Sequence, residues 1–133
     1  MARLLLDTSA YSALLRGREE VAAALRQAEE ICVNPVILGE LLAGFLRGKH
    51  RQKNEDELQV FLSSPRVSVV SFDYQTAERY AWILDSLWKQ GTPIPTNDIW
   101  IAASAAQHGL RILTLDAHFR QVPQVMVNHI QSA

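Results

Sequence analysis

Two apolar runs in this chain end directly in an aspartate. "LLL" at 4–6 runs into Asp7, and "LRILTL" at 110–115 runs into Asp116. Runs of this length, bounded by polar or turn residues, read as buried strands, and a buried strand that delivers a carboxylate at its end restricts the fold sharply. Further short apolar runs at "ICV" (31–33), "VSVV" (67–70) and "QVMV" (124–127) supply the other strand candidates. Between them lie helical patterns. Val21, Ala24, Leu25 and Ala28 fall at i, i+3, i+4 and i+7. Asn34 and Pro35 form a cap and first turn ahead of a stripe of Leu38, Leu41, Leu42 and Phe45. The polar start of "KHRQKNEDELQVFLSSP" gains a helical pattern at Leu58, Phe61 and Leu62. Asp73 precedes a long helix whose stripe is Ala77, Tyr80, Ala81, Leu84, Leu87 and Trp88, ended by Gly91. After the loop "GTPIPT", Thr96 or Asn97 opens the helix "DIWIAASAAQHG".

Strands of four to six residues alternating with helices predict an α/β domain with a mainly parallel sheet covered on both faces. Right-handed crossovers then bring the strands' carboxyl ends to one side, where such sheets bind ligands. The length of 133 residues suits one domain, spanning 1–133. The net charge of −1 gives no global attraction to nucleic acid, so such a partner needs a local basic patch. A lone cysteine, Cys32, sits in apolar sequence and reads as a buried small hydrophobe, in keeping with a reducing compartment. With no signal-peptide pattern and no apolar run near the roughly 18 residues a span needs, a cytoplasmic protein without membrane contact is expected.

Four acids stand apart from the remaining ten of the fourteen because apolar sequence surrounds them: Asp7, Glu40, Asp98 and Asp116. Singly, each has an ordinary explanation. Asp98 suits a helix cap, Asp116 a turn, Glu40 the edge of an apolar stripe and Asp7 an Asx-turn. Jointly they do not, because converging carboxylates repel and no lysine or arginine adjoins any of them. Divalent cations resolve the conflict, and hard ions such as Mg²⁺ or Mn²⁺ favour carboxylate and water oxygens. The four scattered histidines offer no zinc spacing. Carboxylate-held Mg²⁺ suits phosphoryl chemistry.

The ordered segments "LLLDTSAYSALLRG", "PVILGELLAG" and "PTNDIWIAASAAQHGLRILTLDAHF" resemble the successive motifs of PIN-domain ribonucleases, closest to the VapC toxins of type II toxin–antitoxin pairs. The resemblance runs from Arg3 to about Val127. It implies a three-layer α/β/α sandwich and metal-dependent hydrolysis of RNA phosphodiesters. It places metal ligands at Asp7 and Asp98, completed by Asp116 and Glu40 directly or through water, with Ser9 and Thr114 orienting water or acids behind them. The expected reaction is in-line attack of water on the RNA phosphorus, with Asp116 or Glu40 as base. A homodimer and a VapB-like antitoxin that inserts a segment over the site are also implied.

Outside the acids, the basic run with Arg47, Lys49, Arg51 and Lys53 is either a phosphate-contacting rim or a solvated connection. Arg16 and Arg18 carry the same two readings. Trp82 and Trp88 are core candidates, whereas Trp100 points away from Asp98 and could stack on a base. Competing functions meet specific objections. An aspartyl phosphatase needs a second Asp where Ser9 stands. A receiver domain needs an N-terminal acidic pair, and a dinucleotide fold needs a Gly-rich loop. The surviving rival is a PIN-like scaffold that binds RNA or protein without cleaving it.

Overall fold

The computed structural model describes residues 2–132. Five strands form one sheet: β1 (Arg3–Leu6), β2 (Glu30–Val33), β3 (Val67–Val69), β4 (Arg111–Thr114) and β5 (Met126–His129). All pairings are parallel and the strand order is β3-β2-β1-β4-β5. Helices α1 (Thr8–Leu15), α2 (Glu19–Gln27), α3 (Pro35–Arg47), α4 (Arg51–Leu62), α5 (Tyr74–Gln90) and α6 (Thr96–His108) complete an α/β/α sandwich, with a 3₁₀ turn at Ala117–Gln121. The chain winds from β1 outward to β3 and then returns to the other side of β1 with β4. The order therefore reverses between β1 and β4, the place where open parallel sheets leave a crevice beyond their carboxyl ends.

Local chemistry sets the helix boundaries. Asn34 accepts a hydrogen bond from the Ile37 N–H at 2.9 Å, with Pro35 in the first turn of α3. Asp73 and Thr76 form a reciprocal capping box at the start of α5, and Gly91 closes that helix at φ 73°. The central strand β1 buries Leu4, Leu5 and Leu6, and β4 buries Ile112, Leu113 and Thr114. Cys32 is buried in β2, and burial pushes its thiol up to about 11, consistent with an inert core residue.

Three sequence expectations are corrected. Trp82 and Trp88 are not core residues: they are 60% and 68% exposed. The buried face of α5 runs through Thr76, Ile83 and Leu87, while Ala77 and Ala81 face solvent. The apolar residues of α5 span a wider arc than its packed face can cover, so the outer edge of the stripe stays wet. Trp100 is half-buried, its ring stacked on Tyr80 at 4.1 Å and on Phe72 at 5.6 Å, so its stacking partners are rings of the protein itself. The last strand lies two residues beyond "QVMV", because a 3₁₀ turn anchored by buried Phe119 takes up chain before β5 pairs Met126 with Arg111.

Candidate active site at the carboxyl edge of the sheet

Asp7 follows the last residue of β1, and its N–H donates to the Leu113 carbonyl of β4 at 3.1 Å. It occupies the cap position of α1, yet its side chain makes no cap bond. Oδ2 instead accepts from Thr114 Oγ1 at 2.7 Å and from Ser9 Oγ at 2.9 Å. Those hydroxyls also face β4: Thr114 Oγ1 accepts from the Asp116 N–H at 2.9 Å, and Ser9 Oγ from the Leu115 N–H at 3.0 Å. Each hydroxyl therefore orients the Asp7 carboxylate and fixes the chain leading into Asp116. Burial raises the Asp7 carboxyl above its ordinary range, the two hydroxyls and the Thr8 N–H offset part of that, and the nearby Glu40 charge adds to it.

Asp98 stands in the first turn of α6 and is 8% exposed. Its carboxyl is pushed up to about 6, chiefly by burial, and the charges of Asp116 and Asp7 contribute in the same direction. Pro95, not Asp98, holds the cap position of α6. The Asp98 carboxylate turns toward the 3₁₀ turn, where His118 Nδ1 lies 3.0 Å from its Oδ2. The same nitrogen is 3.1 Å from Asp116 Oδ1, which also accepts the His118 N–H at 2.9 Å. The Asp98 hydrogen bond, followed by the Asp116 charge, raises the His118 imidazole above its ordinary value despite some burial.

Glu40, on α3, is held at both oxygens. Thr8 Oγ1 donates to Oε1 at 2.6 Å and Asn97 Nδ2 to Oε2 at 3.2 Å. Because Thr8 adjoins Asp7 and Asn97 adjoins Asp98, these bonds tie α3 to the residues beside both acids.

The four acids singled out by sequence thus meet at the carboxyl edge, though not equivalently. Asp98 and Asp116 converge most closely, offering with His118 one ligand atom each within 4.8 Å of one another. Asp7 lies behind them in a hydroxyl cradle, and Glu40 closes one side. Among the described residues, no lysine or arginine forms an ion pair with any of the four. Sequence reasoning missed His118, Thr8 and Asn97. Their signal was proximity, since each lies within two residues of a selected acid. Arg47, Lys49 and Arg51 remain on the surface, Arg51 donating to Glu55 at 3.1 Å.

A five-stranded parallel sheet with acids gathered at its switch point, none paired to a lysine or arginine among the described residues, defines an α/β domain with its candidate site at the carboxyl edge. Residues 4–125 match the PIN domain family, and the chain belongs to that family. Among its relatives, Ribonuclease VapC of Rickettsia bellii is 33% identical over 127 residues, 93% of each chain. The structure of FitAcB from Neisseria gonorrhoeae superposes with a TM-score of 0.74 at 29% identity, covering 93% of this chain and 95% of that one. DNA-bound VapBC from Salmonella typhimurium shares the fold, with a TM-score of 0.85 at 24% identity over 97% of this chain and 98% of that one.

Proposed function

We propose that this chain is a divalent-cation-dependent endoribonuclease that hydrolyses RNA phosphodiesters, using Mg²⁺ or Mn²⁺, as the toxin of a toxin–antitoxin pair. One observation carries the reading: buried Asp7 and Asp98 join Asp116 and Glu40 at one sheet edge with no lysine or arginine paired to them among the described residues, and the Asp98 carboxyl is pushed up to about 6. The donor set fits a divalent cation, since carboxylate oxygens converge with a third ligand atom within 4.8 Å. Membership in the PIN family and the naming of relatives as VapC ribonucleases support the same assignment.

Asp98 and Asp116 would hold the ion, with Asp7 and Glu40 completing the site directly or through water. A bound cation would supply charge neutralisation, a more acidic water and stabilisation of the developing phosphate charge. The chain itself does the positioning. Ser9 and Thr114 keep Asp7 aimed at the site, and by accepting the Leu115 and Asp116 N–H groups respectively they lock the backbone entering Asp116. Thr8 and Asn97 hold Glu40 at the rim. Glu40 or Asp116 takes the proton as water attacks the phosphorus in line, the P–O bond opposite breaks, and the departing oxygen takes up a proton from solvent. The scaffold alternative leaves the assembly of four acids without a lysine or arginine partner unexplained.

Residues 1–133 are proposed to form a single PIN domain that works in the cytoplasm as a homodimer, restrained by a VapB-like antitoxin. Solved VapBC complexes among its structural neighbours support that partner. No helix among the described residues is long and apolar enough to cross a membrane. Arg47, Lys49 and Arg51 are proposed to contact RNA phosphates beyond the acidic edge. The test is cleavage of RNA by the purified chain: activity with Mn²⁺ or Mg²⁺ that stops in chelator supports the proposal, and full cleavage by Asp7→Asn would overturn it.

A further inference from the structure

We propose that His118 is itself a ligand of the cation, through Nδ1, and that this imidazole makes the centre prefer a first-row transition dication over Mg²⁺. The inference rests on the metal-dependent reading above. It starts from position. His118 Nδ1 lies 3.0 Å from Asp98 Oδ2 and 3.1 Å from Asp116 Oδ1. Adjacent corners of an octahedron with bonds of about 2.1 Å are separated by about 3 Å, so the ring nitrogen already stands at the spacing of a neighbouring ligand from each of the two carboxylate oxygens, with all three atoms within 4.8 Å of one another.

The backbone reinforces the placement. The His118 N–H is donated to Asp116 Oδ1 at 2.9 Å, which orients this end of the 3₁₀ turn toward the acids. The side chain is 51% exposed, leaving room for the tautomer with its proton on Nε2 and a lone pair on Nδ1. Mg²⁺ is a hard ion that favours oxygen ligands and retains water, whereas first-row transition ions accept imidazole readily. An all-acid site would treat Mg²⁺ and Mn²⁺ more evenly. One ring nitrogen in the set shifts the balance.

Mn²⁺ is the probe, because it is paramagnetic and reports bound nitrogen. Calorimetric titration of the full chain should show tighter binding of Mn²⁺ than of Mg²⁺. His118→Ala should weaken Mn²⁺ binding by about tenfold or more while changing Mg²⁺ binding by less than about twofold. Electron spin-echo spectroscopy of the Mn²⁺-loaded wild type should show a directly bound ¹⁴N, absent from both His118→Ala and His118→Gln. No bound nitrogen in the wild type, or equal losses for both ions, would show that His118 only hydrogen-bonds the acids, overturning this inference and leaving the metal site intact. Mn²⁺ binding that is absent, or that persists unchanged in Asp98→Asn, would overturn the metal reading and this inference with it.

Discussion

The two ends of the same sheet treat charge in opposite ways. At the amino end, Arg3 pairs with Glu30 at 2.9 Å and donates to the His108 carbonyl at 2.9 Å, while Arg66 donates to the Leu25 carbonyl at 2.6 Å. The Arg3 hydrogen bond, opposed in part by desolvation and helped by the Arg3 charge, holds Glu30 below the ordinary carboxylate range. At the carboxyl end, Asp7 and Asp98 are held above that range, with no lysine or arginine among the described residues to meet them. A chain whose acids served folding alone would pair them at both ends. The difference marks the carboxyl edge as a place kept ready for a positive charge from outside the chain.

Substitutions at the two edges should separate in activity by the widest margin. Asp98→Asn or Asp116→Asn removes a group proposed to hold the cation, and cleavage of RNA should fall on the order of 10²–10³-fold with the circular dichroism spectrum retained. Arg3→Ala should leave cleavage within about twofold. Equal losses at both edges would break the contrast. Thr114→Val probes the support behind the acids. It removes a hydroxyl that serves Asp7 and the Asp116 N–H together, in a fully buried position. Chemical denaturation should show a cost of about 1–3 kcal/mol, and Mn²⁺ binding should weaken by about tenfold.

The pH dependence of the cation-free chain sharpens the contrast further. Asp98 is raised from 3.8 to about 6, so between those values the folded chain holds a proton that the unfolded chain has released. Stability contributed at low pH is therefore lost as pH rises through that window. His118, raised from 6.5, continues the loss at higher pH. Melting temperature without divalent ions should fall from about pH 4 upward, and saturating Mn²⁺ should flatten the slope. A rise over the window would contradict the burial of Asp98. The smallest effect belongs to the amino edge. Arg3 is 44% exposed, and Arg3→Ala should cost at most about 1 kcal/mol of unfolding free energy.

The strands and caps were legible in the sequence because local rules dictate them. The "LLL" run, the Asn34–Pro35 start and the Asp73 cap each depend on neighbours in the chain. The selected acids were legible because charge in apolar sequence is costly, and all four lie at the carboxyl edge. What local pattern does not show is which side of α5 packs against α6, so the apolar residues of that helix alone point Trp82 and Trp88 to the core. His118 escaped for a related reason. Its partners, Asp98 and Asp116, belong to different elements, and only the fold brings the ring between them. Thr8 and Asn97 were likewise invisible as Glu40 partners, because their bonds cross 32 and 57 residues of chain.

The cation site proposed at the carboxyl edge is held open by its acids. Thermal unfolding of the purified chain during Mn²⁺ titration tests it most directly, in the wild type and in Asp98→Asn side by side. A site that binds only in the folded state should stabilise the wild type by about 2.7 kcal/mol at a hundredfold excess over Kd, with a melting temperature that climbs with Mn²⁺. The variant should show little or no climb. A wild-type melting temperature indifferent to Mn²⁺, or an equal climb in the variant, would contradict the account.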